Sequence, residues 1–287
     1  LSVASKGAAL AMLARIVLVL GGFDPLVGAV ENADWNGIVR YLVPAIAFFA
    51  ALTATFGNLA AYLQTNLKRL LAYSTIAHAG YMMMGLAVLN RDGAAAVLFY
   101  LIAYLLMNLG AFAVVAFLRN QTGSEDLNSF RGLVRRSPWM VVLLSIFLLS
   151  LLGIPPLAGF AAKFQIFSVL WKQCQSYYFR GETGLAATLF ALLVIGGLNT
   201  VFSAVYYLKV MKVMILEVRA EDIEGKEPLP VPEPLPNVVY GGVIALAVLL
   251  LGVLFDPLLA ASSKGVERFV RPANPPVQVT EAGKGQM

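Results

Sequence analysis

Lys163 lies seven residues beyond a double proline, in the apolar stretch Gly153-Ile-Pro-Pro-Leu-Ala-Gly-Phe-Ala-Ala-Lys163. A lysine at membrane depth is expensive, and such groups are functional by default. Pro155-Pro156, flanked by Gly153 and Gly159, interrupts the helix beside it. Unwound backbone at that depth persists only where protein buries it or a wet cavity meets it. An ionisable group next to such a break is the local chemistry of an ion or proton path. The plainer reading is a lysine that snorkels its ammonium to an interface.

Two further groups could share that chemistry. His78 sits in Tyr73-Ser-Thr-Ile-Ala-His-Ala-Gly-Tyr81, where Ser74, Thr75 and Tyr81 could extend a hydrogen-bonded chain. An imidazole titrates near neutrality and suits a proton shuttle. A lone histidine can equally serve as a hydrogen bond between helices. Lys6 falls in the first apolar segment, nine residues before Arg15, for which snorkelling is the rival reading. A lysine can surrender its proton when its surroundings disfavour charge, and an arginine cannot. Asn58, Asn108 and Asn199 read as polar bridges between helices, and Gly80, Gly85, Gly110, Gly196 and Gly197 as close-packing points.

The elements that must position these residues are membrane helices. Of 287 residues, 59% are hydrophobic and 13% charged, against about a quarter charged in a soluble domain. Seven apolar segments are long enough to span, at roughly 3–22, 41–62, 70–89, 95–118, 138–171, 185–216 and 238–255, since about 20 residues suffice. The fifth is too long for one straight span, as expected of a helix interrupted at Pro155-Pro156. A proline-rich connector covers 217–237, and 257–287 reads as a polar tail.

The net charge of +5 is read by location, as membrane topology and not as a nucleic-acid surface. Counting Lys209 and Lys212 at the projecting end of the long sixth segment with its loop, the side after the second, fourth and sixth segments holds ten lysines and arginines, and the opposite loops hold four. The positive-inside rule makes the richer side cytoplasmic, or matrix, with the C-terminus opposite. After the tail's four, only Lys6, Arg15 and Lys163 remain inside segments, while all 16 acidic residues fall in loops, helix ends or the tail. A proton relay would therefore need an acidic partner from elsewhere.

One cysteine excludes an internal disulfide and a Cys-ligated cluster, and one histidine excludes a His-pair haem or multi-His metal site built by this chain alone. A nucleophile–base pair and a Gly-rich phosphate loop are also lacking. No cofactor or metal is expected in the chain. It starts at Leu1 without signal-peptide character, so it is expected to begin inside a longer protein.

Four stretches carry a family resemblance: Ala4-Ser-Lys6-Gly-Ala-Ala; Gly57-Asn-Leu-Ala-Ala-Tyr continuing through His78 to Tyr81; Phe130-Arg-Gly-Leu; and Gly153 to Phe164. Together they resemble the C-terminal half of the antiporter-like membrane subunits of respiratory complex I, the proton-pumping NADH:quinone oxidoreductase, most closely the subunit N (subunit 2) branch. The resemblance implies an all-α polytopic fold of fourteen helices with two inverted five-helix repeats, of which this chain holds about seven. Residues 1–22 would end a truncated first repeat. Residues 41–216 would form the second, with its broken helix at 138–171, and 238–256 the final helix. It assigns Lys6, His78 and Lys163 to a proton relay. NADH, flavin, iron–sulfur clusters and quinone would belong to partner subunits of the membrane and peripheral arms. The implied site is the bacterial inner membrane, with organellar inner or thylakoid membranes as the alternative. The same helices would also serve a sodium/proton antiporter, a membrane-bound hydrogenase, or a non-conducting structural subunit of the membrane arm.

Overall fold

The computed structural model describes residues 2–20, 23–24, 28–29, 35–218 and 231–270. The rest of the proline-rich connector, 219–230, and the tail beyond 270 lie outside them. Apart from a two-residue antiparallel pairing of Phe23–Asp24 with Gly28–Ala29, every regular element among the described residues is helical. The order is α1 (Ser2–Leu20), α2 (Trp35–Tyr62), α3 (Leu67–Leu86), α4 (Arg91–Thr122), two 3-10 turns (Leu127–Phe130 and Leu133–Arg135), α5 (Pro138–Leu152), α6 (Ala158–Phe179), α7 (Thr183–Ile215), α8 (Leu235–Val253) and α9 (Phe255–Val270).

Among the described residues, four helices are long and apolar enough to cross a membrane: α2 from Gly37, α4, α7 and α8. The sequence reading counted seven spans. The polar side chains of α3 (Lys68, Arg69, Ser74, Thr75, His78) and of α6 (Lys163, Gln165, Lys172) dilute the apolar character of those helices. The helix with 33 residues, α7, is about 50 Å long at 1.5 Å per residue, well beyond a bilayer core of about 30 Å.

Local chemistry sets the helix ends. Asn66 and Asn90 cap α3 and α4, accepting from Arg69 N at 3.0 Å and Gly93 N at 2.8 Å. Gly123, at φ 71°, closes α4 in the left-handed conformation. Glu233 reaches from the end of the connector to the start of α5, accepting from Ser137 Oγ at 2.7 Å and Met140 N at 3.0 Å. That contact joins the start of α8 to the start of the broken helix.

Packing rests on small residues. On α2, Ala47, Ala50, Ala54 and Ala61 are buried at helical spacing, and α2 and α3 form the most extensive helix pair. A Cβ on Gly57 would strike the backbone of Ala77, and one on Gly80 would lie 2.8 Å from Ala54 Cα. Gly85, Gly110 and Gly196 are likewise crowded by neighbouring side chains, whereas Gly197 faces open space. The packing role expected of Gly197 is therefore corrected: its α7 neighbour Gly196 alone takes the inward position. The largest fully buried side chains are tyrosines, Tyr81, Tyr100, Tyr104, Tyr206 and Tyr207.

Within the stretch read as a polar tail, 257–287, helix runs to Val270 as α9, packed against α4 and α8, and the remainder lies outside the described residues. Leu258, Ser262 and Val266 recur every four residues and face the bundle. That stripe supplies the anchoring that a polar count overlooks.

Candidate functional site

The break is built by backbone accounting. Gly153, at φ 94°, ends α5; its N–H bonds Ser150 O and Leu149 O, both at 3.0 Å, and Ile154 N bonds Leu149 O at 3.1 Å. This Schellman arrangement satisfies carbonyls of the last turn. The turn at Ile154, Pro155 and Pro156 is exposed on this chain. Its donors explain why it survives there: the two prolines have no N–H, and the Ile154 N–H is already bonded. On the far side Gly159 N donates to Ser150 Oγ at 3.2 Å. A Cβ on Gly159 would fall on the Ser150 carbonyl, and one on Gly252 of α8 on the Pro156 carbonyl.

The Leu152 carbonyl remains at the end of α5. Lys163 Nζ donates to it at 2.7 Å and lies 4.8 Å from the centroid of the Tyr81 ring. Lys163 is 4% exposed. Lys68 and Arg119 pair with Glu125, and Arg131 and Lys212 with Glu217, at the basic end of the bundle. The ammonium thus rests on one carbonyl and one π-face, with no carboxylate bonded to it among the described residues.

Helix α3 presents the other predicted residues along one stripe. Ser74, Thr75, His78 and Tyr81 are buried or nearly so. His78 Nδ1 meets Tyr100 Oη at 2.8 Å, and Nε2 lies 3.4 Å from Tyr207 Oη. The Tyr104 ring covers the imidazole, with centroids 5.1 Å apart. Tyr207 Oη also bonds Ser74 Oγ. At the α1 end, Lys6 Nζ donates to Thr75 Oγ1 at 2.5 Å, and Thr75 Oγ1 donates to Ala72 O at 2.7 Å. Tyr81 Oη pairs with Thr200 Oγ1 at 3.1 Å. His78 stands within electrostatic reach of both Lys163 and Lys6. The Tyr104 hydroxyl, beside it, has no hydrogen-bond partner among the described residues.

A second cluster fixes α2 against α7. Asn58 Nδ2 donates to Asn199 Oδ1 at 2.9 Å, Asn199 Nδ2 donates to Thr55 Oγ1 at 3.0 Å, and Tyr206 Oη donates to Asn58 Oδ1 at 3.0 Å. Apart from Tyr81, the tyrosines of the site are not singled out in the sequence analysis. Tyr100 and Tyr104 share a face of α4 four residues apart, deep in a span. Interfacial tyrosines gather at span ends, so depth was the signal that could have found them. Tyr206 and Tyr207 lie close to Lys209 and Lys212 in sequence and resemble an interfacial belt.

Arranged this way, the site can hold a proton at Lys6, on the imidazole and at Lys163. Hydroxyl groups can act as donor or acceptor between the first two. It is served by α1, α3, α4, α6 and α7 together.

Residues 7–190 match the family described as NADH:quinone oxidoreductase/Mrp antiporter, TM. NADH-quinone oxidoreductase subunit N of Anaeromyxobacter sp. (strain Fw109-5) is 36% identical over 274 residues, covering 94% of this chain and 49% of that protein. NADH-quinone oxidoreductase subunit N 2 of Solibacter usitatus (strain Ellin6076) is 44% identical over 224 residues, covering 77% of this chain and 39% of that protein. A chain of respiratory complex I from Thermus thermophilus with bound Aureothin superposes with a TM-score of 0.58 at 34% identity, covering 76% of this chain and 45% of that one. The chain spans about half the length of the curated relatives it matches.

Proposed function

Because the chain belongs to the NADH:quinone oxidoreductase/Mrp antiporter transmembrane family, we propose that it acts as the proton-translocating part of a subunit N in an NADH:quinone oxidoreductase. Electrons would pass from NADH through flavin and iron–sulfur clusters to quinone in partner subunits. This chain would supply proton transfer alone, within the bacterial inner membrane and beside other membrane-arm subunits. On the full template it would contribute about seven of fourteen helices.

The observation that carries the reading is Lys163: a buried lysine with one carbonyl and one aromatic face for company. Desolvation penalises its charged form, and among the described residues those two contacts offset the penalty. Such a group changes protonation with modest changes in the charge around it. Lys6 would accept a proton at the α1 side, its ammonium resting on Thr75 Oγ1. His78 would take a proton at one ring nitrogen and release it from the other, its ring oriented by Tyr100 and Tyr207. Water would complete the path from the imidazole past Tyr81 to Lys163. Charge on neighbouring lysines repels strongly in a low-dielectric path, and that repulsion would drive release.

The test is Lys163→Ala in the intact complex in native membrane vesicles, with NADH-to-quinone turnover and proton uptake recorded together. Assembly is checked first on a native gel. Both activities should fall sharply in assembled complex. Assembled complex with both activities normal would remove Lys163 from the relay and favour a scaffold role.

A further inference from the structure

A cleft of about 800 Å³ opens at the basic end of the bundle, between the C-terminal ends of α2 and α7 and the 3-10 turn at Leu127–Phe130. Its charged wall is Arg131, Lys209 and Lys212, set against a single carboxylate, Glu217. Glu217 pairs with Arg131 at 3.2 Å and with Lys212 at 3.9 Å. Lys209 has no ion-pair partner among the described residues. Among its described lining residues, three cations against one carboxylate leave a net positive charge of two. Thr65, Asn128 and Tyr62 add hydrogen-bonding groups to its lining.

The other wall is apolar and open. Leu63, Val205 and Leu208 are well exposed, and the exposed apolar surface continues down the two helices through Leu59 and Phe56 on α2 and Phe202 on α7. Excess positive charge therefore sits directly above the bare apolar flank of two candidate spans. A soluble anion would use the cations and leave the flank uncovered. A phospholipid with an anionic headgroup uses both, with phosphate among the basic side chains and acyl chains along α2 and α7. Basic pockets at the ends of membrane helices on the positive face are the usual form of such sites.

We propose that this cleft binds the headgroup of an anionic phospholipid, held by Lys209, Lys212 and Arg131. The proposal needs only that the basic end meets the membrane surface, and it does not depend on the proton relay. The experiment uses the intact complex in vesicles doped with phosphatidylglycerol carrying a photoreactive group in one acyl chain. A parallel sample carries the equivalent phosphatidylcholine. Labelled peptides are mapped by mass spectrometry.

The anionic probe should label segments 56–63 and 198–208 at least about tenfold over the zwitterionic one. In Lys209→Gln/Lys212→Gln the anionic labelling should require about thirtyfold more lipid, from ~1 kcal/mol for each basic side chain near the surface. Arg135→Gln removes a charge from the same end outside the cleft and should leave labelling unchanged. Equal labelling by the two probes in the wild-type complex would overturn the proposal, whether or not the double variant assembles. So would insensitivity to the double substitution, displacement of the label by inorganic phosphate, or photocrosslinks to another subunit in place of lipid label.

Discussion

Tyr207→Phe removes one oxygen from the centre of the site and leaves the ring in place. That oxygen serves Ser74 Oγ and lies 3.4 Å from His78 Nε2. Losing the Ser74 bond and stranding a buried hydroxyl costs about 1–3 kcal/mol of stability. The consequence for proton transfer is separate. A hydrogen bond to a charged group contributes about 1.5–3 kcal/mol, but at 3.4 Å the contact to the imidazole is long. The lower end applies, so occupancy of the protonated imidazole should fall about tenfold. Tyr206→Phe is the control. It deletes the same atom type one residue away and loses a 3.0 Å bond to Asn58 Oδ1, with a similar cost in stability but no contact with His78. Both variants would be made in the intact complex, matched for assembled protein on a native gel. NADH-to-quinone turnover and dye-reported proton uptake would then be measured in vesicles. Tyr207→Phe should lose about tenfold in coupled proton uptake, while Tyr206→Phe keeps most of it. Equal losses would mean that both hydroxyls act through packing alone, and an unimpaired Tyr207→Phe would refute the relay through His78.

Two further expectations follow from other parts of the molecule. Gly80→Leu must place a side chain where Ala54 Cα is only 2.8 Å from the new Cβ; overpacking of this kind costs typically about 1–3 kcal/mol, so assembled complex should decrease on a native gel, whereas Gly197→Ala, with open space around it, should assemble normally. At the basic end, mild desolvation would raise the Glu125 pKa, but hydrogen bonds from Asn66 and Lys68 and the charges of Lys68 and Arg119 outweigh it and hold the carboxyl below its ordinary value. A depressed folded-state value means that this stabilisation is present above the ordinary carboxylate range and is lost as pH falls through the folded value. The protection of the Leu67 and Leu127 amides, corrected for the intrinsic exchange rate at each pH, should therefore fall in acid, since their N–H groups bond Glu125 O and Thr65 O at 2.9 Å. Glu125→Gln should flatten that pH dependence, and an unchanged profile would count against it.

Much of the site was legible before any coordinates. A double proline inside an apolar run has one physical reading, a broken helix. A lysine seven residues on stands out because hydrocarbon tolerates so few charges. His78 with Ser74, Thr75 and Tyr81 falls on one face because helical spacing is fixed at 3.6 residues per turn. The converging tyrosines were not legible, because Tyr100 and Tyr207 are 107 positions apart in sequence and periodicity describes only one helix at a time.

The sequence by itself determined that the chain is helical, membrane-embedded and asymmetric in charge, and that Lys6, Lys163 and His78 are the amine and imidazole groups left within its apolar segments. These follow from composition, from the cost of burying charge and from the 3.6-residue period. Tertiary structure alone decided that Lys163 rests on the Leu152 carbonyl, that α4 and α7 supply the hydroxyls around His78, that the proline turn reaches the surface with no free N–H, and that α9 folds back on α4. Each depends on which helices pack side by side, and small residues such as Gly57, Gly80 and Gly159 permit that choice without spelling it out.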